Sequence, residues 1–171
     1  MIRKILKYGD PVLETACGPV TDFDTPELRE LVEDMFETMY EANGVGLAAP
    51  QIGVSKRLTV IDCSGGEAAG EKLVLINPEI ISLEGQQVGE EGCLSIPGFR
   101  EDVKRARKVV ARAQDLQGNS FEVTGEELLA RAIQHENDHL NGILFLQHLS
   151  PLKRELIKRK IRKLKRKGEW D

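Results

Sequence analysis

The sequence predicts an α+β fold, with mainly antiparallel β-sheets packed around a central helix, an N-terminal helix before them and a C-terminal helix after. Three observations carry this expectation. An amphipathic helical pattern fills residues 24–44, β-rich segments separated by turn residues follow, and two further helical patterns close the chain.

The first helix, in "DTPELRELVEDMFETMYEANG", is bounded at both ends. Thr25 is placed to cap it, Pro26 suits its first turn, and Gly44 follows its end. Leu28, Leu31, Val32, Met35, Phe36 and Met39 recur at helical spacing and are expected to face the core. Strands are expected at "RLTVID", "LVLINPEII", "KVVARAQDL" and "SFEVTG", with "GGEAAGE" (65–71) as a loop tip. The central helix should begin near Thr124, which has capping-box spacing to Glu127, and run through "EELLARAIQHENDHL" to Gly142. Its Leu128, Leu129, Ala132 and Ile133 are apolar, which suits a buried position. The last helix starts at about Ser150. With 171 residues, no internal repeat and no linker, one domain over 1–171 is expected, carrying a basic C-terminal helix or tail at about 150–168.

Composition is that of a globular chain, 40% hydrophobic and 30% charged. No segment approaches membrane-spanning length, and "MIRKILKYGDPVL" holds no apolar run long enough for a signal peptide. Cys17, Cys63 and Cys93 are too few and too scattered for a disulfide framework, so a reducing, cytoplasmic location is expected. The net charge of −4 conceals an asymmetry. Residues 153–167 carry a local +9, leaving −13 on the remainder. A basic tail on an acidic body suits contact with nucleic acid, a ribosome or another anionic surface.

The chemistry concentrates in "AIQHENDHLNGILF", residues 132–145. His135 and His139 stand four apart on a helix, so both imidazoles project from one face. Such a pair can bind one metal ion, and Glu136 can reach a water held by it as general base, the H-E-x-x-H arrangement. The pattern also fits a helix with two ordinary histidines, so a third ligand decides the class. In the extended metalloprotease pattern Gly142 falls in register, but Phe145 replaces the third histidine, and His148 comes three residues too late. The ligand should therefore come from upstream. Cys93, in "GEEGCLSIPG", is either a small core cysteine or a strand-edge thiolate that Gly92 lets approach the metal. One thiolate and two imidazoles leave a fourth position open, the catalytic rather than the structural arrangement. The thiolate cancels one unit of metal charge and acidifies water less, so a base such as Glu136 gains importance. In "GVGLAAPQIG" (44–53), small residues allow close backbone approach, and Gln51 is placed to donate to a developing oxyanion. Phosphate-loop spacings are missing there.

Taken together, "GVGLAAPQ" (44–51), "EGCLS" (91–95) and "QHENDH" (134–139) resemble, in order, the three motifs of the peptide deformylases. "YGDPVLETACGPV" near the N-terminus and the intervening strands extend the similarity over nearly the whole chain. The resemblance implies an α+β enzyme that removes the formyl group from N-formylmethionine on nascent bacterial chains. It implies Cys93, His135 and His139 as metal ligands, Glu136 as catalytic acid/base, and Gln51 with the Leu94 N–H as oxyanion donors. Gly46 matches a backbone position beside the substrate, and Val45, Leu128 and Ala132 are expected to line the methionine pocket. Arg131 departs from relatives with an apolar residue there. Arg100 is expected to pair with Glu91, and Cys17 and Cys63 to sit in the core. The cofactor implied is one divalent ion, Fe2+ first, with Zn2+, Ni2+ or Co2+ as substitutes. The basic helix is expected to dock near the ribosomal exit tunnel. Two rivals remain on sequence alone: a metal-stabilised RNA-binding module, which needs a fourth protein ligand, and a general metallopeptidase, which Phe145 opposes.

Overall fold

The computed structural model describes residues 1–170, so Asp171, the last residue of the expected domain, lies outside the described residues. Helix α1 spans Pro26–Glu41, with the Thr25 hydroxyl accepting from the Leu28 N–H. Its Leu28, Leu31, Val32, Met35, Phe36 and Met39 are all buried, so the helical spacing does mark the core face. They pack with Leu47, Leu58, Val60 and Ile76 of the neighbouring sheet.

That sheet has five antiparallel strands: β1 (Gly46–Ala48), β2 (Leu58–Ile61), β3 (Leu73–Glu84), β6 (Lys108–Gln114) and β7 (Ser120–Glu126), in the order β1-β2-β3-β6-β7. Two strands that the sequence did not advertise, β4 (Gln87–Cys93) and β5 (Ile96–Arg105), form a separate hairpin. Helix α2 (Glu127–Leu140) lays Ala130, Ala132 and Ile133 against Ile61, Leu75, Val109 and Ala111 of the sheet. Helix α3 (Pro151–Arg166) is capped by Ser150 and buries Ile157 and Ile161 with Leu13, Ile96 and Phe145. The mixed helix and antiparallel-sheet class is therefore the one expected.

Two local expectations fail. Thr124 does not cap α2, because the β6–β7 ladder continues to the Lys108–Glu126 pair, with Thr124 opposite Val110. A β-branched residue already held in a ladder stays extended, and the helix starts only after Glu126, which makes no side-chain cap. Arg100 does not pair with Glu91 but with Glu90, at 2.8 Å on the exposed face. Side chains alternate across the hairpin. Arg100, opposite Gly92, shares a face with Glu90, whereas Glu91 points inward with Val103 and Arg105.

Candidate active site

Cys93, at the end of β4, meets His135 and His139 of α2. The imidazole Nε2 atoms are 3.2 Å apart, and Cys93 Sγ lies 3.4 Å from His139 Nε2. All three ligand atoms fall within 4.8 Å of one another. Bonds of about 2.0–2.1 Å to nitrogen and 2.3 Å to sulfur at tetrahedral angles require edges of roughly 3.3–3.6 Å. The trio is therefore sized for one ion. His148 is elsewhere, 2.8 Å from Asp138 Oδ2, so among the described residues no fourth protein ligand closes the cluster. Phe145 is a core residue and Cys17 is buried, while Cys63 is only half-buried.

His135 is oriented from behind, whereas the buried His139 Nδ1 has no partner among the described residues. His135 Nδ1 is 2.5 Å from Glu91 Oε1, which leaves Nε2 for the cluster. Glu91 also takes Arg105 (2.8 and 3.1 Å) and Arg131 (3.2 Å), and Arg105 continues to Asp138 (2.7 Å). Burial opposes the Glu91 charge, but hydrogen bonds from His135 and Arg105 outweigh it and hold the carboxyl down at about 2. Burial and the neighbouring His135 keep the His139 ring well below its usual pKa, in the neutral form that ligates. For His135 burial works the same way, but hydrogen bonds to Cys93 and Glu91 prevail and raise it. A proton and a metal ion would thus compete for the same cluster.

Glu136 is buried next to the trio, its Oε2 4.0 Å from His135 Nε2, and its Oε1 has no protein partner among the described residues. Burial raises its carboxyl to about 7. Gly46 explains the fit of this side chain. A Cβ at that position would sit 2.7 Å from Glu136 Oε2 and 3.0 Å from its Cδ, so any larger residue would push the carboxyl aside. Gln51 is also buried. Its Oε1 accepts from the Ala48 N–H at 2.9 Å, which turns the amide Nε2 toward Ser95 Oγ (3.1 Å) and Cys93 Sγ (3.6 Å). Leu94 and Ser95 form the tight turn between β4 and β5.

A cleft of about 710 Å³ opens over these groups. Val45, Gly46, Leu94, Leu128 and Ala132 line it with Cys93 and His135, as do Gln51 and Glu136. Val45 and Leu128 are exposed at its mouth, while Ala132 is buried. Sequence reasoning missed Arg105, whose partners are distant in the chain, and Phe99, a further wall residue. Arg131 is a cleft residue too, but its guanidinium is turned to Glu91 and to the Val103 carbonyl (3.0 Å).

An α+β fold that gathers a cysteine, two helix-borne histidines and a buried glutamate under one cleft is that of a metallohydrolase. The family model described as polypeptide deformylase matches residues 2–155. A curated peptide deformylase of Acidobacterium capsulatum is 64% identical over 99% of each chain. That of Alkalilimnicola ehrlichii is 52% identical over 98% of this chain and 93% of its own. A crystal structure of a peptide deformylase from Legionella pneumophila superposes with a TM-score of 0.91 at 53% identity, covering 100% of this chain and 99% of the other. The chain belongs to the peptide deformylase family, metal-dependent hydrolases that remove the N-formyl group from nascent peptides.

Proposed function

We propose that Cys93, His135 and His139 hold one divalent ion, that Glu136 is the catalytic acid/base, and that Gln51 and the Leu94 N–H stabilise the oxyanion. The observation that carries this reading is Glu136 itself, a buried carboxyl with an unpartnered oxygen beside a three-ligand cluster. When bound, the ion supplies Lewis acidity toward a water and the formyl oxygen. Ferrous iron is the proposed native ion, from the family resemblance, because imidazole and thiolate donors also suit zinc, nickel and cobalt.

In this mechanism Glu136, as carboxylate, takes a proton from the water that attacks the formyl carbon. The Gln51 amide, held by the Ala48 N–H, and the Leu94 N–H donate to the oxygen on which charge develops. Glu136 then delivers its proton to the amine nitrogen as the C–N bond breaks, leaving formate and a free methionine N-terminus. Val45, Gly46, Leu128 and Ala132 border the substrate. Replacing Cys93, His135 or His139 singly with alanine is expected to reduce bound metal from about one ion per chain to a small fraction, measured by elemental analysis after dialysis. Full metal content in any of the three would remove that residue from the set.

The chain is proposed to act as one catalytic domain in the bacterial cytoplasm, where formylated chains are made. In keeping with this, α3 shares an apolar cluster with β5, and no helix of the described residues is long and apolar enough to cross a membrane. The ribosome is proposed as partner through the exposed basic face of α3. Deleting residues 153–171 is a poor test, because it would also remove the buried Ile157 and Ile161. Exchanging exposed Arg159, Lys160 and Lys163 for glutamine is expected to weaken ribosome binding and flatten its salt dependence, while leaving hydrolysis of short peptides intact. Unchanged ribosome binding would eliminate this partner.

A further inference from the structure

The end of the described chain packs behind the cleft wall. After α3, Lys167 is the C-cap, and Gly168 takes a left-handed φ of 72°. The Gly168 N–H donates to the Lys165 carbonyl (3.1 Å) and the Glu169 N–H to the Leu164 carbonyl (2.9 Å). This Schellman turn reverses the chain, and a side chain at 168 would strain it. The reversal seats Trp170, 3% exposed, among Ile96, Leu13 and Leu164.

From there Trp170 makes two directed contacts. Its indole N–H donates to the Tyr8 carbonyl at 2.8 Å, and the Tyr8 N–H donates to the Ser95 carbonyl at 2.8 Å. Ser95 is the second residue of the turn that begins with Leu94, and its hydroxyl receives the Gln51 amide. The indole ring also meets Phe99 edge to face, with centroids 6.2 Å apart and planes at 63°, and Phe99 lines the cleft. Trp170 therefore supports both the cleft wall and the turn next to Cys93 from the side away from substrate. It lies beyond residues 2–155, the span matched by the family model.

We propose that Trp170 is a positioning residue for substrate binding, acting through Phe99 and through the Tyr8–Ser95 link. The inference rests on the deformylase site described above. Loss of an edge-to-face aromatic contact corresponds to about 3–10-fold in binding. Trp170→Ala is accordingly expected to raise KM for a formyl-methionyl tripeptide by roughly that factor, with kcat little changed. Trp170→Phe, which keeps a ring but loses the N–H donor, should fall between it and the parent.

A second readout uses the unaltered protein. Trp170 is the only tryptophan in the chain, so its emission reports this one position. Titrating the metal-loaded protein with the product peptide Met-Ala-Ser is expected to change the emission saturably. If Trp170→Ala does not fold, the Phe variant and this titration decide. An emission indifferent to saturating peptide, or variants with a lowered Tm and an unchanged KM, would overturn the proposal. Formate release by the parent tests the deformylase reading separately, so active protein with a silent Trp170 defeats this inference alone.

Discussion

Glu136→Gln is expected to lower kcat by about 10³–10⁴-fold, near the top of the range for a positioned acid/base group, while metal content and fold stay as in the parent. Glutamine keeps the shape of the side chain in the space that Gly46 leaves for it, so the loss would be chemical rather than steric. The same residue sets the direction of the pH profile. Burial raises its carboxyl from the ordinary 4.5 to about 7, and the charge of a bound ion would draw it back down. With the carboxylate as the proposed base, kcat/KM should rise with pH along a limb between these two values and then level off. The variant should lack that limb. A variant that retains both rate and limb would show that another group moves the proton.

Glu91→Ala is expected to have the largest effect on stability. The carboxylate is 5% exposed and is the shared partner of Arg105, Arg131 and His135. Its removal leaves the buried Arg131 guanidinium without its counter-charge and Arg105 with Asp138 alone, a change that costs about 3–5 kcal/mol. For a chain of this length that corresponds to a drop in Tm of roughly 6–20 °C by calorimetry. The pH dependence has a definite sign. Burial opposes the charge, the hydrogen bonds from His135 and Arg105 prevail, and the folded-state value of about 2 lies below the ordinary 4.5. The stabilisation is therefore complete above about 4.5 and is lost as pH falls toward 2. The Tm gap between the parent and Glu91→Gln should narrow across that window. A gap that stays constant through it would mean that Glu91 is not held by these charges.

Much of the architecture was legible because local chemistry and tertiary demand agree. In α1 the apolar spacing, Thr25 and Pro26 specify the same helix, and Ser150 starts α3 where it should. The cluster was legible for a similar reason. His135 and His139 need only helical spacing to meet, and the lack of a histidine at Phe145 directed attention upstream to Cys93. The hairpin β4–β5 was not legible, because Gly89, Glu90, Glu91 and Gly92 have weak β propensity. Its pairing with α2 runs through Glu91, Arg105 and Arg131, which are 14 to 40 residues apart in the chain. No periodicity in one sequence reports such partners. Arg131 shows the consequence. It looks like a polar intruder in an apolar pocket, yet its guanidinium is turned away to Glu91 and Val103, and Gly89 leaves the room beside it. Trp170 was hidden behind a dense run of positive charge and becomes intelligible only once Gly168 turns the chain back.

The most direct test of the account is formate release from a short N-formylmethionyl peptide, using protein purified without oxygen and loaded with ferrous iron, then with zinc. The expected result is one formate and one free methionine amine per peptide consumed, with every peptide bond intact and the faster rate in the iron form. Cleavage of a peptide bond, or no formate from protein that demonstrably carries its metal, would contradict it.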